Sequence, residues 1–319
     1  MLEDYRNALR AGQRATRAAQ ARGQSPYLAV LDDILRGVNI VAQEPLGLVD
    51  IPAESIVGTK TAGRHTAFAP NFMPILEADS EFARKWSNLC DAHLEEGIRY
   101  PITAYEYLNK FYVEEGNKRV SVLKYYEAVK IPGTVTRLVP ERNETLENKI
   151  YYEFLDFYKL SKINYVHFSR LGGYAKLQTL VCKATGESWT DDDRLNFASL
   201  YTMFSQQFYA LGGSALELTP GDALLVYLAV YRYSDAIEST PAQVRENLSK
   251  LWDEIKILTR PQAVELQLEP ATKQGAEPLL SKLNIFSPRP SELRVVLLHE
   301  HNAQTSAWVR GQDKGRDAL

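Results

Sequence analysis

Glu114, Glu115, Gly116, Asn117, Lys118 and Arg119 form one run of six residues between two apolar segments. Ahead of it lies a short β-prone stretch, Phe111-Tyr112-Val113. Behind it Val120 and Leu123 stand three apart, the spacing of one helix face. Gly116 can take φ > 0 and lets a ligand approach the backbone closely. Asn117 is a good N-cap for the helix that follows. A helix that starts at a glycine turn presents free N–H groups and the positive end of its dipole, and Lys118 and Arg119 add two cations. That pattern suits a phosphate. Cations at a helix N-terminus oppose the dipole by a few tenths to about 1 kcal/mol, a conflict that an anion would relieve. The plain alternative is a solvated turn carrying i, i+4 charge pairs.

Elements on both sides must hold this turn. Ile131 to Val139 reads as a returning strand, Pro101 to Tyr107 as the strand before the turn, and Leu48 to Val57 as the strand that opens the core. The last runs into GTKTAGRHTAFAPNFMP, a long polar loop of the kind that usually carries function. Lys60, Thr61 and Arg64 of that loop are placed to reach a phosphate beside the Gly116 turn. His65 stands alone, without the partner spacing of a metal site. Residues 80 to 96 read as an amphipathic helix with Phe82, Trp86, Leu89 and Leu94 on its apolar face. Residues 2 to 22, rich in Ala and Arg, read as another. Tyr27 to Arg36 reads as a third, started by Ser25-Pro26 and striped by Leu28, Leu31 and Leu35.

From Asn148 to Arg260 the pattern is helical throughout. Thr190-Asp191-Asp192-Asp193, Thr219-Pro220-Gly221-Asp222 and Thr240-Pro241-Ala242-Gln243 each place a hydroxyl at N-cap and an acid or amide three residues on. Aromatic residues at helical spacing, such as Phe197, Phe204 and Phe208, read as core. A helix-turn-helix around Ser161 to Val181 would offer only Lys176, Gln178 and Lys183 as polar readers of DNA. Residues 261 to 291 hold repeated prolines and read as a linker. Leu293 to Leu298 then reads as an apolar strand, followed by a loop and a helix from Ser306, like the opening unit of a doubly wound α/β domain.

Of the 319 residues, 45% are hydrophobic and 24% charged, ordinary for a globular protein. The net charge of −3 argues against a bulk polyanion binder and confines any nucleic-acid site to a local patch. The two cysteines, Cys90 and Cys182, lie far apart and read as buried reduced thiols in a cytoplasmic protein. No signal-peptide h-region opens the chain, and no run of apolar residues is long enough to span a membrane.

Glu115-Gly116-Asn117-Lys118-Arg119, with the upstream Ile51-Pro52-Ala53-Glu54-Ser55-Ile56-Val57-Gly58-Thr59-Lys60 and Arg64, resembles the signature boxes of the ParB/sulfiredoxin fold. The resemblance covers roughly residues 46 to 140. It implies nucleotide phosphate binding at the turn, with CTP or ATP as the nucleotide, together with Mg. The Asn-Gln-Arg box of the family's DNA-sliding members is reduced here to Glu141-Arg142-Asn143. Taken whole, through Asn71-Phe72-Met73-Pro74, Gly221-Asp222-Ala223-Leu224-Leu225, His299-Glu300, Trp308 and Gly315-Arg316, the chain resembles the BMP family. These are PnrA-like relatives among ABC-transporter substrate-binding proteins, here of the subgroup with a ParB-like region in front.

The expected organisation is therefore a helical arm at 1–45, an α+β ParB/sulfiredoxin-like core at 46–140 and an all-helical region at 141–260. A proline-rich linker at 261–291 precedes the first strand–helix unit of a periplasmic-binding-like domain at 292–319, where the chain breaks off. The expected function is that of a regulatory ligand sensor, with nucleotide binding through Lys60, Thr61, Arg64, Gly116, Asn117, Lys118 and Arg119. Trp308 is expected to stack on a nucleoside, and an ABC transporter is the partner the family implies. An alternative is a nucleotide hydrolase or phosphotransferase with Glu114 or Glu115 as base. The weakest is a DNA-binding protein.

Overall fold

The computed structural model describes residues 2–258, an α/β protein with one mixed six-stranded sheet and several helices. In chain order, α1 (Leu2–Ala21) is followed by β1 (Ala29–Val30), α2 (Leu31–Ile34), β2 (Ile40–Pro52), β3 (Ile56–Thr59) and α3 (Glu81–Glu96). Next come β4 (Ile102–Tyr107), β5 (Lys110–Glu115), α4 (Asn117–Tyr125) and β6 (Lys130–Pro140). The helical region comprises α5 (Leu146–Ser161), α6 (Gly173–Leu180), α7 (Asp191–Ala210), α8 (Pro220–Val230), α9 (Tyr233–Ile237), α10 (Pro241–Lys250) and α11 (Trp252–Ile257).

The strands lie in the order β1-β3-β5-β4-β6-β2. Pairs β1–β3, β3–β5 and β4–β6 are parallel, while β4–β5 and β2–β6 are antiparallel. β2 and β3 are four strand positions apart, roughly 19 Å in a flat sheet. Only Ala53, Glu54 and Ser55 join them, and that stretch can span at most about 14 Å. The sheet must therefore curl, which brings its two ends together. Ile51, Ile56, Ile102, Val113, Val120 and Ile131 fill the inside of the curl.

A second layer joins α1, α3 and α4 through Tyr5, Trp86 and Val122. Trp86 Nε1 donates to Ser121 Oγ at 2.9 Å, which satisfies a fully buried indole. The helical region forms its own aromatic core and joins the sheet at Val139 of β6. There the Arg137 guanidinium meets the Glu106 carboxylate at 2.5 Å, both almost completely buried. Tyr151 Oη and the Asn109 N–H also donate to Glu106, and Arg137 lies 4.4 Å from the centre of the Tyr158 ring. Burial pushes the Glu106 carboxyl up, against the opposing pull of Arg137, Asn109 and Tyr151.

The three threonine caps form as their spacing dictates: Thr190, Thr219 and Thr240 each complete a capping box. Other expectations need correction. Tyr27–Arg36 is not one helix, because Ala29-Val30 pairs with Gly58-Thr59 as an edge strand and only Leu31–Ile34 is helical. Tertiary pairing overrides the leucine stripe there. The single strand expected over Leu48–Val57 is two strands, since the chain turns at Pro52 into a short 3-10 segment. β2 also begins at Ile40, inside the expected arm. Cys90 is buried but Cys182 is exposed, at φ 61 just past the end of α6. The expected linker at 261–291 and the strand–helix unit at 292–319, Trp308 included, lie outside the described residues.

Candidate anion-binding site

The Gly116 turn lies where β5 hands over to α4. Gly116 takes φ 109, ψ 18 and is the N-cap, so Asn117 is the first helical residue and not the cap expected of it. The reason is steric. A Cβ at position 116 would stand 2.8 Å from Ile102 Cγ2 and 3.1 Å from Arg119 Nε, so glycine alone fits. Val120 N–H makes the first helical bond, to the Gly116 carbonyl at 3.0 Å. The N–H groups of residues 117 to 119 thus have no partner within the helix.

Asn117 faces inward instead of capping. Its Nδ2 donates to Thr59 Oγ1 at 3.2 Å, and Thr59 Oγ1 donates to the Val113 carbonyl at 3.0 Å, which ties the turn to β3. Asn117 Oδ1 is buried with no hydrogen-bond partner among the described residues.

A cleft of about 520 Å³ opens in front of the turn. Arg64, Lys118 and Arg119 line it together with Glu114, Glu115, Gly116 and Asn117, and Phe68, Phe82 and Leu89 give it an apolar wall. The cations behave differently. Arg119 is fixed, donating to the carbonyls of Tyr100 (2.9 Å) and Pro101 (2.5 Å), with Glu115 at 3.7 Å one turn away. Lys118 Nζ lies 4.6 Å from the centre of the Phe82 ring. Its pKa is lowered, first by burial and then by the positive charges of Arg64 and Lys85, with Glu81 opposing. Glu81 itself pairs with Lys85 at 2.6 Å. Arg64 is exposed on the 3-10 segment Ala62–Ala67.

The loop therefore contributes Arg64 but not all of its polar residues. Lys60 forms an ion pair with Asp32 and lies 5.3 Å from the centre of the Tyr105 ring. Parallel pairing of β3 with β5 carries it to the α2 side, away from the cleft lining. Thr61 is exposed and also stands outside that lining. His65 Nδ1 contacts the Ala62 carbonyl, and its ring sits against Tyr27. Sequence reading did not bring Phe68, Phe82 and Leu89 to this site, because their helix and loop meet the turn only in three dimensions.

Glu114 is exposed, and Glu115 is turned toward Arg119. No group of three His, Cys, Asp or Glu residues that could hold a metal ion occurs among the described residues. The three candidate DNA readers are constrained. Gln178 is buried against Trp189 and the Ala184 and Glu187 carbonyls, and Lys183 is clamped by Glu187 and Asp193. Lys176 lies on α6, a helix of eight residues, and has no ion pair among the described residues. Among the described residues no helix is long and apolar enough to cross a membrane. No family model matches this chain, and no curated protein matches it.

Proposed function

We propose that the chain is a BMP-family-like ligand sensor whose ParB/sulfiredoxin-like module binds the phosphates of a nucleotide in the cleft at the N-terminus of α4. One observation carries this reading: Arg64 and Lys118 converge, with mutual repulsion, at the positive end of that helix. An anion seated there gains charge-assisted bonds from both and removes their repulsion. The apolar wall of Phe68, Phe82 and Leu89 is suited to a base, so a nucleotide fits the cleft better than a bare phosphate.

Binding without turnover is favoured by the carboxylates. A general base must be aimed at the proton it takes. Glu115 is turned to Arg119, and Glu114 is exposed with no ion-pair partner among the described residues. In this reading nucleotide occupancy is the signal, and the ABC-transporter association implied by the resemblance is what it regulates. A hydrolase or phosphotransferase using Glu114 or Glu115 is the second reading.

The test is thermal unfolding of the full chain with CTP, ATP and inorganic phosphate, alongside a phosphate-release assay. A nucleotide at a hundred times its Kd stabilises the folded state by about 2.7 kcal/mol. That should appear as a rise in Tm without phosphate release, and should vanish in Arg64→Ala/Lys118→Ala. Steady phosphate release abolished by Glu114→Gln or Glu115→Gln would establish the second reading. No change in Tm with any of the three ligands would end both.

A further inference from the structure

Helix α1 carries its charge on one side. Arg6, Arg10, Arg14 and Arg17 are all exposed, and Arg22, also exposed, follows just past the helix end. At 3.6 residues per turn the first four fall within an arc of about 80° and cover about 16 Å of the axis. The opposite side is buried through Tyr5, Ala8, Gly12 and Ala19. Tyr5 packs edge-on against Trp86, and its Oη donates to the Leu76 carbonyl at 2.7 Å. The helix is thus fixed to the protein with its arginines turned outward.

Acidic side chains do not balance this stripe. The acids of α1 are confined to its first turn, Glu3 and Asp4, and Asp4 accepts from the Tyr125 hydroxyl. No Asp or Glu occurs from Tyr5 to Leu31. Among the described residues none of the five arginines enters an ion pair, and Arg10 bonds only to the uncharged Asn7. Other helices of this chain pair their cations one turn apart, Lys85 with Glu81 on α3 and Lys250 with Glu246 on α10. α1 instead sets Arg6, Arg10 and Arg14 four apart, a like-charge spacing that weakens a helix. Residues 2–22 carry five arginines against two acids, a local charge of +3 that leaves −6 for the rest of a chain with net charge −3.

A partner for this face supplies a line of anions. Every cation of the stripe is arginine, whose planar fork meets phosphate through two parallel hydrogen bonds. One strand of a duplex carries a phosphate per ~3.4 Å of axis, so a stripe of about 16 Å runs past about five of them. A membrane fits less well. A helix that lies on lipid buries an apolar face in it, but the apolar face of α1 is packed on the protein. None of the exposed large hydrophobic side chains among the described residues belongs to α1. A broad anionic surface would also repel the remaining −6, whereas a duplex can meet the stripe alone.

We propose that the arginine side of α1 docks along the sugar–phosphate backbone of a nucleic-acid duplex, with Arg6, Arg10, Arg14 and Arg17 each meeting phosphate. Such contacts hold a duplex without reading its bases. The site is separate from the lining of the cleft at α4, and failure here would leave that reading untouched.

The test is fluorescence anisotropy of the full chain with a labelled mixed-sequence DNA duplex and with the RNA duplex of the same sequence; the tighter of the two names the source of the backbone. A Kd of about 10 µM or tighter is expected at ~50 mM salt. Four neutralised phosphates give a slope of log K against log salt of about −3.6, so affinity should fall about 150-fold by ~200 mM. Arg10→Gln/Arg14→Gln should halve the slope to about −1.8. Arg10→Lys/Arg14→Lys should restore it, and an unchanged urea midpoint in both variants shows that the fold is kept. No anisotropy change with either duplex up to about 100 µM protein would overturn the proposal. So would a slope that the glutamine variant leaves unchanged. Vesicles of phosphatidylserine and phosphatidylcholine in equal parts form the competing arm. Sedimentation with them that the glutamine variant loses, without duplex binding, would assign the stripe to a membrane and refute the duplex.

Discussion

Gly116→Ala tests whether the turn is held by its surroundings or merely tolerated by them. The cost has two parts. The first is the backbone: φ 109, ψ 18 is a region that side chains with a Cβ adopt only under strain, worth about 1–2 kcal/mol. The second is steric. The new Cβ would meet Ile102 Cγ2 at 2.8 Å and Arg119 Nε at 3.1 Å, well inside the ~3.5–4.0 Å optimum for carbon contacts. Ile102 is buried in the curl of the sheet, and Arg119 is bonded to two carbonyls, so neither yields freely. Overpacking of this kind costs roughly 1–3 kcal/mol. The total is about 2–5 kcal/mol. Gly212 separates the two parts, because it has nearly the same backbone, φ 92 and ψ 20, but nothing within 4 Å of a built Cβ. Gly212→Ala should therefore cost only the backbone share, about 1–2 kcal/mol. Urea unfolding of both variants reads the difference directly. Equal costs would show that Ile102 and Arg119 give way, and would refute the claim that the turn is sterically fixed.

Two further outcomes follow from the buried polar groups. Arg137→Met leaves Glu106 buried without its cation and should cost about 3–5 kcal/mol in urea unfolding, while Glu106→Gln/Arg137→Met should cost clearly less. A single-variant loss below about 1 kcal/mol would mean that the pair acts like a surface ion pair. His167 binds its proton at about 4 when folded against 6.5 when unfolded, so protons favour the unfolded chain. Its contribution is complete above pH 6.5, is lost as pH falls toward 4 and changes no further below that. His167→Phe should flatten that part of the stability–pH curve, and an unaltered slope would contradict the burial of a neutral ring.

The local pieces of this chain were legible because their causes are local. A threonine followed three residues later by Asp or Gln closes a capping box by itself, and all three do so. The helix near residues 80 to 96 and the strands Ile102–Tyr107 and Lys130–Pro140 follow from side-chain period, although Pro132-Gly133 lies inside the last strand and does not precede it. The Gly116 turn was likewise visible as strand, glycine and helix. Tertiary structure decided the rest. Ala29-Val30 became strand because β3 offered an unpaired edge, a partner that no window of sequence reveals. Lys60 and Arg64 are four residues apart in one polar loop, yet one turns to Asp32 and the other to the α4 cleft. The Glu106–Arg137 pair joins residues 31 apart on parallel strands. Capping and periodicity are set by neighbours within a few residues, whereas ion pairing, burial and cavity walls depend on which distant segment arrives. The sequence by itself therefore determined the turn and its charges, and only the fold decided which of those charges face a ligand.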